Sequence, residues 1–285
     1  MRRKEILENL HDKISMGIPI VGCGAGCGMS AIGEVAGGAD MVIAYGTGQY
    51  RMAGRNSMAG RFAFGDANSL VVDMLKDIIP VCKDTPVMAG VFAQDPFRNI
   101  DKFLIELKDM GCSGVQNIPG VGGQAQMEGQ TVLDQFEALG LGFDCETRLM
   151  SLAVKNDMVA TPYCSQPFHV KAMAEVGADI FVLHMGLTGR ADDKSMVVTP
   201  LDLCVEKINE LANCVMNFNK NAIIIAHGGP IVSPEDFFYL KERCLNLHGF
   251  YGASSIERIP VENEMVETIK SLKNIKLKKC GGKNE

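Results

Sequence analysis

The chain has 285 residues, 47% hydrophobic and 22% charged, with a formal net charge of −6. That suits one large α/β domain or two small ones, and it argues against nucleic acid and anionic membrane surfaces as partners. The one basic cluster, KNIKLKK, lies near the C-terminus, and no window of about 18 apolar residues predicts a membrane span.

In chain order, residues 1–16 come first. Ile6, Leu7, Leu10 and Ile14 recur at helical spacing among scattered charges, which predicts an amphipathic helix. No apolar core of signal-peptide length is present there, so the reading is cytoplasmic. Eight short apolar runs follow, beginning at Ile18, Ala39, Pro86, Cys112, Met158, Ala178, Asn221 and Leu247. They are apolar on both faces and bounded by Gly, Pro or Asp, as buried parallel strands are. Helical patterns lie between them, several ending in a glycine (Gly38, Gly111, Gly177) suited to a left-handed cap. Eight β-then-α units predict a single (β/α)8 TIM barrel over 1–285, with an extra N-terminal helix and a frayed tail over 279–285. Strand starts are spaced alternately 20–26 and 43–47 residues apart, which suggests two similar halves. The long gaps carry the loops GTGQYRMAGRNSMAGRFAFGD, PGVGGQAQMEGQ and LTGRADDKSMVV. In a barrel these emerge at the C-terminal face, where active sites are built.

Ten cysteines are present, most of them inside apolar runs, where free cysteine packs as a small hydrophobe. Cys23 and Cys27 in GCGAGCG are spaced for zinc, but no second ligand pair accompanies them. Reduced cysteines in a tight strand-to-helix turn are the simpler reading.

The strand ends carry the chemistry. The seventh strand ends in His227-Gly228-Gly229-Pro230, and the eighth runs into Gly252, Ala253, Ser254 and Ser255. Barrel loops at these two positions often bind phosphate, and glycine lets backbone N–H groups approach an anion. The sixth strand ends in His184, on the neighbour of the strand that carries His227. Adjacent strands lie about 4.8 Å apart, so the two imidazoles can meet at the mouth as an acid–base pair. Other strand ends add Gln94, Asp95, Gln116, Asn117 and Tyr163, and the second loop adds Arg51, Arg55, Asn56 and Arg61. A lid arginine such as Arg51 suits a bidentate anion clamp. His11, His169 and His248 read as structural. Glu235 and Asp236 in SPEDF, and Asp202 in TPLD, read as first-turn acids of helices capped by Ser233 and Thr199.

HMGLTG, HGGPIVSPEDF and GFYGASSIERIPVE together resemble the phosphoenolpyruvate hydrolase-like family of TIM-barrel proteins. IPIVGCGAGCGMSA, GVQNIP, TPYCS and EVGADIFVLHMG extend the resemblance over nearly the whole chain. It implies a hydrolase or lyase acting on a small phosphorylated or phosphono carboxylic acid. Gly228, Gly229, Gly252, Ser254 and Ser255 would hold the anion, supported by Arg258, Asn117 and Arg51. His184, His227 and Tyr163 would be catalytic. Related enzymes carry a metal on aspartates that include an Asp-x-Asp at the third strand. Here that strand reads AGVFAQDP, with no aspartate before Asp95, so magnesium stays open and the third strand does not support it. Where the family's sixth loop carries Thr and two glycines, this chain has Thr188, Gly189 and Arg190, a further candidate anion contact. An FMN-dependent oxidoreductase and a non-catalytic small-ligand sensor are the alternatives, and a homo-oligomer is left open.

Overall fold

Among the described residues the apolar runs become nine short strands: β1 (Ile20–Ala25), β2 (Met41–Ala44), β3 (Val87–Gly90), β4 (Gly114–Gln116), β5 (Val159–Ala160), β6 (Tyr163–Cys164), β7 (Ile180–His184), β8 (Ile223–His227) and β9 (Gly249–Gly252). The computed structural model describes residues 1–61, 65–122, 130–189 and 199–275. Every pairing is parallel, in the order β5-β4-β3-β2-β1-β9-β8-β7-β6. The two end strands are separated only by Thr161 and Pro162, so β5 and β6 are one strand broken in the middle. The predicted fifth strand is corrected to this pair. Pro162 has no N–H for the ladder, yet its carbonyl accepts from Val182 N, while Thr161 N donates to Val115 O on the other side. The break thus joins both edges of the sheet and closes a TIM-type barrel.

The helices are α1 (Arg3–Ser15), α2 (Gly28–Ala36), α3 (Gly46–Met52), α4 (Ala67–Cys82), α5 (Ile100–Met110), α6 (Gln130–Ala138), α7 (Phe143–Lys155), α8 (Pro167–Glu175), α9 (Leu201–Phe218), α10 (Pro234–Lys241) and α11 (Arg258–Lys273). Ser233 caps α10 as its sequence predicts, its hydroxyl accepting from Asp236 N in a capping box. Thr199 does not cap α9. The cap position falls on Pro200 and has no side-chain hydrogen bond. The second loop, read as an active-site loop at the C-terminal face, folds into α3 and a 3₁₀ turn at Ser57–Arg61. Arg190, most of the fourth loop and the tail at 279–285 lie outside the described residues.

Two apolar layers position the site. One lies between sheet and helices and the other fills the barrel. Strand alternation sends Ile180, Val182, Ile223, Ile225, Met88 and Tyr251 inward. Small residues face the large ones: a side chain at Gly114 would run into Met88 and Val159. Below, α1 plugs the N-terminal end of the barrel with Ile6 and Leu10. Arg3 holds it to Asp179 at 2.7 Å, and Lys13 pairs with Asp40. Asp179 and Asp40 each directly precede a strand, so both ties fix the floor. The open end is the C-terminal one.

Candidate active site at the barrel mouth

Alternation along β7 and β8 places His184 and His227 on the same inner face as the aliphatic residues beneath them. They are register partners, with ring centroids 5.1 Å apart. Tyr163, from β6, closes a three-ring cluster, 5.0 Å from His184 and 5.2 Å from His227. All three line a cavity of about 610 Å³ at the mouth.

Backbone contacts set the polarity of each imidazole. His227 Nδ1 lies 2.8 Å from the Tyr251 carbonyl, which can only accept, so the proton sits on Nδ1 and Nε2 keeps its lone pair. His184 is the reverse. Its Nδ1 accepts from Gly186 N at 3.1 Å, so in the neutral ring the proton sits on Nε2. Burial lowers the His227 pKa to about 4, with Arg51 pushing the same way and the Tyr251 carbonyl opposing. The ring is therefore neutral at pH 7.

The other predicted site residues divide into three groups. Ser254 lines the cavity, its hydroxyl 3.4 Å from that of Ser57, and Asn117 lines it too. Asn117 is fully engaged, accepting from Tyr163 N at 2.7 Å and donating to Glu146. Arg51 also lines the cavity but is not a lid residue. It sits in α3, 2% exposed, ion-paired with the equally buried Glu257 at 2.8 Å, and it also donates to Gly24 O and Tyr45 Oη. Gly228, Gly229, Gly252, Ser255 and Arg258 do not line the cavity.

The glycine reading is corrected by packing. Gly228 and Gly229 have φ of +79° and +60°, and Gly229 N is already spent on Gly186 O at 3.0 Å. A Cβ on Gly228 would stand 2.2 Å from the same carbonyl. These glycines join the β8 loop to the β7 loop. A Cβ on Gly252 would strike Ile256, and Arg258 pairs with Glu262 at 2.7 Å along α11.

On the opposite wall, sequence reasoning named Gln94 and Asn117 but missed Glu146. Glu146, 1% exposed in the first turn of α7, accepts from Gln94 Nε2 at 3.2 Å, Gly122 N at 3.1 Å and Asn117 Nδ2. Burial raises its pKa, and those three donors oppose the rise. Nothing in GFDCETR separates this acid from an ordinary first-turn acid. His169, read as bland, lines the same wall.

No ready-made cage of protein carboxylates for a magnesium ion is assembled among the described residues. Among the described residues no three His, Cys, Asp or Glu gather into a metal-holding group. Of the carboxylates lining the cavity, Asp66 accepts from Asn68, Ser69 and Arg98, and Asp95 from Asn68 and Phe97 N. Glu146 is held as above.

The fold and this mouth define a TIM-type barrel protein with a candidate site at the C-terminal end of its sheet. A solved 2,3-dimethylmalate lyase, itself described as a PEP mutase/isocitrate lyase superfamily member, matches 99% of the chain and 92% of its own, at a TM-score of 0.59 and 16% identity. A phosphonopyruvate hydrolase solved with oxalate and Mg²⁺ matches 97% and 89%, at 0.58 and 13%. At such identities the similarity is one of fold. Residues 5–275 match the family model described as phosphoenolpyruvate hydrolase-like, and the chain belongs to that family. It is also 42% identical over 276 residues to the tomato (Solanum lycopersicum) protein described as ToMV susceptible protein tm-1(GCR26). That match takes in 97% of this chain and 36% of the tomato protein, so the chain spans about a third of its relative.

Proposed function

We propose that this barrel is a hydrolase or lyase acting on a small phosphorylated or phosphono carboxylic acid. The observation that carries the reading is the opposed polarity of His184 and His227, paired in register at the mouth. A neutral ring with a bare Nε2 takes a proton from an attacking water or hydroxyl. A neighbouring ring protonated at Nε2 gives one to the leaving oxygen or carbanion. Strand tips hold both rings rigidly, which proton transfer needs. Tyr163 packs against both and fixes their spacing. The Ser57 and Ser254 hydroxyls, with Arg51 lining the same cavity, are the anion-binding side.

The test is release of pyruvate from phosphoenolpyruvate and phosphonopyruvate by the wild type and by His227→Asn. Asparagine keeps a donor for the Tyr251 carbonyl and loses the bare Nε2. Turnover should fall about 10²-fold or more with the fold intact. A folded variant with wild-type turnover would remove His227 from the chemistry.

The same reading proposes a homo-oligomer. α11 has no buried residue, and Val261, Met265, Ile269 and Leu272 are all exposed at helical spacing along it. A second copy of the chain is the occupant proposed for that stripe.

A further inference from the structure

Among the described residues, the wall opposite the histidine pair holds the buried atoms His169 Nε2 and Gln94 Oε1 without a partner. Their residues are 1% and 5% exposed, and both line the cavity. Neither orientation is arbitrary. His169 Nδ1 accepts from Ser165 N at 3.2 Å, so its proton sits on Nε2, and the ring is clamped by stacking on Phe143 with centroids 4.3 Å apart. The Gln94 amide nitrogen donates to Gly142 O at 3.1 Å and to Glu146 at 3.2 Å. Rotating that amide would point its oxygen at two acceptors, so Oε1 must face away from them. The two orphans lie on one wall and are linked through Glu146 and Gly122. Gly122 N bonds the Glu146 oxygen that Gln94 also bonds, and a Cβ on Gly122 would lie 3.3 Å from His169 Nε2.

Leaving a buried donor and a buried acceptor unmade is costly unless a ligand completes them. One wants an acceptor and the other a donor. A hydroxyl or a primary amide supplies both, a methyl group supplies neither, and a carboxylate supplies no donor and would lie beside the Glu146 carboxyl. The cavity has the room: about 610 Å³ falls in the range that encloses a drug-sized ligand, more than a three-carbon acid fills.

We propose that His169 and Gln94 form a second subsite, which takes a neutral hydroxyl or amide at the far end of a substrate longer than phosphoenolpyruvate. This rests on the reading of the cavity as an acid-substrate site. It places the acid head at the histidine pair and makes the opposite wall the part that selects chain length and end group.

The test is calorimetric binding of a matched series of 2-oxo acids: 2-oxoglutaramate and 5-hydroxy-2-oxopentanoate (amide and hydroxyl ends), 2-oxopentanoate (methyl end), 2-oxoglutarate (carboxylate end), and pyruvate for the head alone. The amide or hydroxyl probe should bind at least about 10-fold tighter than the methyl and carboxylate probes. In His169→Phe and in Gln94→Leu that preference should shrink to about 3-fold or less, with pyruvate affinity unchanged. Methyl or carboxylate ends binding as well in the wild type would overturn the subsite and leave the head site standing. A preference that persists in both folded variants would overturn it equally. Should one variant unfold, the other and the wild-type series still decide. If pyruvate and all four longer probes fail to bind the wild type, the subsite falls, while the acid-substrate reading is decided separately by pyruvate release from phosphoenolpyruvate and phosphonopyruvate.

Discussion

At the scale of single residues, the buried titratable groups make the protein's pH response readable. His227 and His169 both titrate at about 4 in the fold, lowered mainly by burial, against about 6.5 when unfolded. The unfolded chain therefore binds more protons between those values. The stability the neutral rings contribute is complete above about pH 6.5 and is lost as pH falls toward 4. Thermal melts should fall steeply across that window, and His169→Phe should flatten the fall. Glu34 has the opposite sign. Among the described residues both its oxygens are buried without partners, and burial, reinforced by Glu257, raises its pKa to about 8. Its contribution is complete below the unfolded value near 4.5 and is lost as pH rises through 8. Glu34→Gln should melt higher than wild type by about 3 °C or more at pH 8.5, and the gain should vanish near pH 5. An equal gain at both pH values would show that Glu34 stays ionised throughout. The histidine pair was legible in the sequence because two histidines end neighbouring strands. His169 was not, since a histidine flanked by Phe168 and Val170 reads as core until its partnerless nitrogen is seen.

At the scale of elements, loops proved harder to read than strands. Apolar runs bounded by breakers located the strands, and Gly38, Gly111 and Gly177 do end helices with positive φ. The second long loop hid α3, and with it the fate of Arg51. A lid charge and the buried half of an ion pair look the same in sequence, because the partner Glu257 lies 206 residues away. The β8 glycines show the same limit. The glycines themselves were readable, but the carbonyls that press on them come from Met185 and Gly186, just past the end of β7. Gly228→Ala should thus act through the fold, with a Cβ 2.2 Å from Gly186 O and a strained φ costing about 2 kcal/mol or more. The check is a denaturant melt of the variant. Wild-type stability with lost anion binding would restore the glycines to the site.

At the scale of the whole molecule, alternating β and α units fixed the barrel class, and chain order alone put the histidines at its mouth. The broken strand that closes the sheet and the polar wall around Glu146 depend on contacts between distant segments, which no local pattern carries. The exposed stripe of α11 belongs to this scale too. Light scattering should show a mass above that of one chain, and Ile269→Asp with Leu272→Asp should return it to a monomer. A wild-type monomer at micromolar concentration would discard the oligomer. The claim on which the account turns is the opposed polarity of the histidine pair, and long-range ¹H–¹⁵N NMR of the imidazoles reads it most directly. The account predicts His227 protonated on Nδ1 alone and still neutral at pH 5.5, beside a His184 whose neutral form carries its proton on Nε2. A His227 proton on Nε2, a His227 already charged at pH 6, or the same tautomer in both rings would contradict it.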